Sequence, residues 1–204
     1  MRKIFAFVLM LSAAIASAKT YDLASPDGKV KVCIEAGAEL AYTVSFDGEQ
    51  ILAPSRIALD FKDKELAPTV RKVTRRSIDQ LHHAVVPVKA REVRENCNEL
   101  RLDFRGGWAV VFRAYDDGVA YRFVTAKKEE LTVKNEVVEF NFPEDYNLVI
   151  PYADKRNDPY YSSFESQYTL EKTSDVKSHV DRLAFMPVMV DAGKSGKLLL
   201  TESD

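Results

Sequence analysis

The chain has 204 residues, with 29 Lys and Arg against 31 Asp and Glu, and 46% hydrophobic side chains. A formal charge of −2 without a basic cluster excludes a surface built to neutralise a phosphate backbone, so nucleic acid is not an expected partner. Cys33 and Cys97 are too few for a disulfide framework and have no metal or redox spacing. A bridge between them and two separate free thiols are both open readings.

The first segment reads as a leader. Arg2 and Lys3 precede a nearly unbroken apolar run over 4–15, and Ala16-Ser17-Ala18 forms a small-residue cleavage site. The run is too short to span a bilayer, so residues 1–18 are expected to be a secretory signal peptide and 19–204 a single mature domain. No later segment is apolar enough to be a membrane span. The expectation is an exported protein, periplasmic or secreted. Losing Arg2 and Lys3 takes the formal charge from −2 to −4. About 185 residues remain, enough for one domain with a sizeable core.

Strand signals then recur every eight to twelve residues. Residues 28–34 and 40–46 alternate apolar and polar, and Asp47-Gly48 turns the chain into 50–52. Strands are expected over 56–61, 68–78 and 81–94, with Pro87 marking an edge strand or bulge, and over 99–104 after a polar turn containing Cys97. The stretch 108–124 is the clearest hairpin. Trp108, Val110 and Phe112 share one face of its first strand, and Val119, Tyr121 and Phe123 one face of its second. Asp116-Asp117-Gly118 joins them, with Gly118 expected to accept a positive φ. Further strands are expected over 119–125, 131–134, 137–142, 148–151, 183–190 and 197–201. No window of ten residues carries helical periodicity with credible caps; the best candidate, 78–84, is short. So many short strands predict an all-β, antiparallel sandwich or barrel.

Residues 152–181 are polar and aromatic, without sustained periodicity, and are expected to form a long functional loop. Within it, Tyr160 and Tyr161 are followed by Glu165 and Gln167. Sugars bind to such sets, stacking CH faces on aromatic rings and bonding hydroxyls to planar polar groups. Packing against a neighbouring domain explains the aromatics equally well. Asp116 and Asp117 are adjacent in a turn and read as turn residues, because neighbours cannot be set across a glycosidic bond by local geometry. His82 and His83 leave a strand on opposite faces, and His179 sits in the loop. No nucleophile elbow, phosphate loop, dinucleotide fingerprint or zinc-protease signature is present.

Four segments in this order, SPDGKVKVCI, DGEQIL, AYDDGVAYRF and LLLTESD, resemble the N-terminal β-domain of glycoside hydrolase family 97, whose members are exported bacterial α-glucosidases and α-galactosidases. The resemblance covers 19–204. It implies an antiparallel β-supersandwich of the galactose-mutarotase-like kind, as the first part of an enzyme whose catalytic carboxylates lie in a following (β/α)8 barrel. That barrel is missing from these residues, so no catalytic residue is assigned. The resemblance also implies a calcium ion, Ca2+, in the complete multi-domain enzyme, with Glu202 of LLLTESD as one metal ligand. From the residues alone, Glu202 is a solvated carboxylate at a strand end. The implied function is a carbohydrate-associated domain that supports the barrel beside an α-linked oligosaccharide and does not hydrolyse glycosides by itself. Two alternatives are a free-standing carbohydrate-binding module and a mutarotase-like sugar epimerase using a histidine and a glutamate as acid and base.

Overall fold

In a computed structural model of the chain, residues 18–61, 64–153, 165–178 and 182–202 are described. They are nearly all strand: β1 (Lys19–Ala24), β2 (Val30–Ala36), β3 (Leu40–Phe46), β4 (Glu49–Phe61), β5 (Lys64–Glu65), β6 (Val70–His83), β7 (Glu92–Phe104), β8 (Trp108–Tyr115), β9 (Gly118–Thr125), β10 (Val133–Val138), β11 (Asn147–Ile150), β12 (Thr169–Lys172), β13 (Val188–Asp191) and β14 (Lys197–Leu200). A single helical turn, α1 (Thr173–Val176), follows β12. The strands form three antiparallel sheets. Sheet I has the order β1-β2-β3-β4-β10 with β5 beside β4, sheet II has β6-β7-β8-β9, and sheet III has β12-β11-β13-β14.

Sheets I and II face each other across the main core. Val30, Val32 and Ile34 of β2, with Leu40, Tyr42 and Val44 of β3, meet Leu100 and Leu102 of β7 and Trp108, Val110 and Phe112 of β8. These are every second residue of their strands, as a half-buried antiparallel strand requires. Aromatic rings fill the centre: Phe104 stacks on Trp108 with centroids 4.1 Å apart, and Phe112 and Tyr121 each lie against Tyr42 at 5.6 and 5.7 Å. Burial pushes the Tyr42 phenol up to about 12.

The turns lock this sandwich. Ser25 Oγ donates to Asp27 Oδ1 at 2.6 Å and accepts from the Val30 N–H at 3.1 Å, while Gly28 takes φ +77°. The Asp27 N–H in turn donates to Asp116 Oδ1 at 2.9 Å, tying the β1–β2 turn to the β8–β9 turn across 89 residues of sequence. Asp47 and Gly48 both adopt positive φ, 49° and 87°, the geometry that matches hairpin twist. Gly118 does not. Tyr115 pairs with Gly118, so Asp116 and Asp117 form the two-residue turn and the glycine is the first residue of β9, with no positive φ.

Other expectations change in register. The predicted segments 50–52 and 56–61 are one strand, β4, because pairing with β3 skips from Leu52 to Ser55 and leaves Ala53 and Pro54 off that ladder. The Ala53 N–H donates to Asn141 O at 2.7 Å instead, and because Pro54 lies off the ladder with β3, its missing N–H removes no bond of that pairing. Pro87 lies in the turn between β6 and β7, not in a strand, and residues 78–83 are strand throughout. Cys97 is not in a turn: it sits inside β7 opposite Ile78 and Tyr115 and is fully buried. Asn96 and Asn98 give that stretch its polar look. The Asn98 amide is used internally, donating to Ala24 O at 2.9 Å and accepting from Ser77 Oγ at 2.6 Å. Both cysteines are free thiols. The long loop expected over 152–181 contains β12 and α1, and the strand expected over 183–190 narrows to β13, with Ala184 bridging to Tyr152.

Candidate functional site

The outer face of sheet II carries the densest ionic network. Glu99, only 6% exposed, accepts from Arg76 at 2.7 Å and from Arg113 Nε at 2.8 Å, and Arg113 also reaches Glu95. These residues share one face because Arg76, Glu99 and Arg113 are cross-strand neighbours in register on β6, β7 and β8. Burial pushes the Glu99 carboxyl up, but the two guanidinium groups outweigh it and leave the carboxyl below its ordinary range. Every charge in this set has an opposite partner, which is the pattern of a structural clasp. Further along the same hairpin, His82 Nε2 meets Glu95 at 2.9 Å and His83 Nδ1 meets Glu92 at 3.5 Å, on opposite faces as the sequence predicts. Gln80, then His82, hold the Glu95 carboxyl below its usual range, so it is a poor proton donor near neutrality. His179 lies outside the described residues.

Sheet III brings three of the residues singled out from sequence, Glu165, Gln167 and Glu202, to one end. Thr169 opens β12 opposite Ile150, which ends β11; Val188 opens β13 opposite Leu200, which ends β14. Ile150 and Val188 in turn follow the Val149–Met189 pair, so all four strands present the same end. Glu165 and Gln167, both exposed, lead into β12 at that end, and Glu202, also exposed, leaves β14 there. β12 and β14 are the two edges of a four-stranded sheet, so their ends are separated by three strand spacings, about 14 Å. Tyr160 and Tyr161 lie outside the described residues, as do Asn157, Asp158, Pro159 and Phe164.

Sequence reasoning missed a second set at this end. The Arg182 guanidinium sits 3.7 Å above the ring of buried Tyr152, whose hydroxyl donates to Glu171 Oε1. Burial, and then the neighbouring Glu171 carboxylate, push the Tyr152 phenol well up. The arrangement is a packed cation–aromatic–carboxylate stack that braces the strand end. No periodicity advertises it, because Tyr152 and Arg182 lie outside the regular strands and meet only through the Tyr152–Ala184 bridge.

The fit to calcium can be tested on these positions. Among the described residues no group of three or more His, Cys, Asp or Glu is placed to hold a metal ion. Calcium takes roughly six to eight oxygens, of which one glutamate supplies at most two. The described residues therefore do not make a calcium site by themselves.

Residues 23–204 match the family described as Glycosyl-hydrolase 97 N-terminal. The chain belongs to this family. It is 36% identical to a retaining alpha-galactosidase of Bacteroides thetaiotaomicron, over 96% of this chain and 30% of that protein. The crystal structure of a beta-arabinopyranosidase superimposes with a TM-score of 0.77 at 23% identity, covering 90% of this chain and 31% of that one. A Glycoside Hydrolase Family 97 enzyme from Pseudoalteromonas sp. strain K8, in complex with acarbose, superimposes with a TM-score of 0.66 at 20% identity, covering 84% of this chain and 26% of that one. The fold is thus the β-sandwich with which these glycosidases begin, and the chain spans less than a third of their length. Among the described residues no helix is long and apolar enough to cross a membrane.

Proposed function

We propose that this family 97 domain is the carbohydrate-associated front part of a calcium-dependent α-glycosidase. It supports a following (β/α)8 barrel, walls the cleft for an α-linked oligosaccharide, and contributes Glu202 as one metal ligand. The observation that carries the reading is the family match over 23–204 of a chain spanning 30% of an α-galactosidase relative. That relative favours an α-galactoside over an α-glucoside. The exposed Glu202, two residues past the end of β14, is free of the sheet's ladder and suits a ligand shared with residues from elsewhere. Glu165 and Gln167 contribute to the sugar-facing loop at the same sheet end, and Tyr160 and Tyr161, which lie outside the described residues, supply its aromatic rings. Arg2, Lys3 and the apolar run after them direct export to the periplasm or beyond, with cleavage after Ala18.

The purified chain is expected to show no turnover of aryl α-galactosides or α-glucosides with added calcium. Clear turnover by the chain alone contradicts the reading. Joined to a barrel, the Glu202→Gln variant is expected to lower calcium affinity by about tenfold or more, read by calcium titration, with the fold unchanged.

A further inference from the structure

Three of the four strands of sheet III, β11, β13 and β14, carry apolar residues on both faces, and the edge strand β12 adds Leu170 to one of them. β11 reads NLVI, β13 VMVD and β14 KLLL, whereas β2 of the sandwich reads VKVCIEA with strict alternation. Continuous apolar runs belong to strands covered on both sides. One face of sheet III is covered: Leu148, Ile150, Val188 and Val190 are buried and pack with Phe142, Tyr146, Val176 and Leu198. The opposite face is not. Register places Leu170, Val149, Met189 and Leu199 in one row across all four strands, and Leu170 is 77% and Leu199 62% exposed. A parallel polar row, Lys172, Asn147, Asp191 and Lys197, borders it. The polar row with Leu170, Val149 and Met189 lines a groove of ≈ 570 Å³, and Leu199, beside Met189 in register, extends the apolar row past it.

We infer that this row is the seat of the part of the enzyme that follows the matched segment in the longer relatives. The inference rests on the proposed function and names the surface through which the support is given. Three observations choose this occupant. The family is by description N-terminal, and more than two thirds of each relative lies outside the match. β14 contributes Leu199 to the row and also leads the chain to Glu202, so the polypeptide that follows in the relatives starts beside this face. A groove is concave and does not complement itself, so two copies meeting through it leave opposed hollows, whereas a two-fold interface needs a self-complementary patch. The occupant therefore presents an apolar ridge that fills the groove, with polar groups for the Lys172–Lys197 border.

The test mixes the full chain with the portion of the Bacteroides relative that follows its matched segment and measures complex formation by analytical ultracentrifugation. A one-to-one complex is expected. Leu170→Glu and Leu199→Glu are each expected to raise its Kd by about tenfold or more, while Val85→Asp, on the exposed β6–β7 turn, leaves it unchanged. The variants sit on an open surface, and circular dichroism verifies that they fold. A complex indifferent to both leucine variants overturns the docking surface and leaves the proposed function standing. Self-association of the chain that is abolished by Leu199→Glu overturns it in favour of a second copy. With the added portion verified as folded by circular dichroism, absence of any complex overturns both.

Discussion

Sheets I and II and sheet III are built from the same kind of strand but end in different states. In the sandwich, β2 spends one face on the partner sheet and the other nearer water, alternating residue by residue, while β8 is buried on both faces by residues of this chain. In sheet III, β11, β13 and β14 carry apolar residues on both faces and only one face is covered. A strand's hydrophobic pattern thus reports how many layers its sheet was selected to sit between. The sandwich is finished by this chain, and sheet III is finished by something else.

The largest expected effects lie in the finished region. Phe112, fully buried between Tyr42 and Tyr121, leaves a cavity when replaced by alanine. Phe112→Ala is expected to destabilise the chain by about 3–5 kcal/mol in chemical denaturation. Leu148→Ala, in the smaller core of sheet III, is expected to cost about 2 kcal/mol or somewhat more, with its effect concentrated on hydrogen exchange in β11–β14. Equal spreading of both losses over all three sheets would erase the distinction between the regions.

Next comes the clasp on sheet II. Glu99→Ala leaves Arg113 without one of its two carboxylates and is expected to cost about 2 kcal/mol, between the values for exposed and buried pairs because Arg76 is largely solvated. Its pH dependence has a definite sign. The Glu99 carboxyl lies below its ordinary 4.5 in the folded chain, so its contribution is fully present above pH 4.5 and is lost as pH falls through the folded value. Melting temperature measured from pH 5 down to about 3 should fall less steeply for Glu99→Gln than for the parent. A smaller loss, about 0.5–1 kcal/mol, is expected for Asp116→Ala, which removes the acceptor for the Asp27 N–H and unties the two turns. Smallest of all, Leu199→Glu is expected to change the stability of the isolated chain by less than about 0.5 kcal/mol. It should also reduce binding of a hydrophobic dye.

Much of this was legible in the residues. Residues 40–46 and 108–115 form strands at the predicted positions, and the inward set Trp108, Val110 and Phe112 is buried as alternation demands. What escaped was long-range. Proline and asparagine look like breakers, yet Pro54 sits inside β4 because pairing skips past it, and Asn98 sits inside β7 because Ala24 and Ser77 satisfy its amide. Gly118 looked like the hairpin's special residue, but the turn is carried by the two aspartates, one of them held by a distant N–H. At the candidate site, Glu165, Gln167 and Glu202 were visible as residue types, while their arrival at one end of one sheet depends on a register that no local pattern encodes. Tyr152 and Arg182 left no signal because their contact joins two irregular segments.

Hydrogen–deuterium exchange of sheet III, with the chain alone and then with the polypeptide that follows it in the relatives, addresses the central claim most directly. The account predicts that in the isolated chain the amides of β11, β13 and β14 exchange far faster than those of β2 and β8. It also predicts that they slow on adding the partner while β2 and β8 stay constant. Equal protection of both regions in the isolated chain, unmoved by the partner, would contradict it.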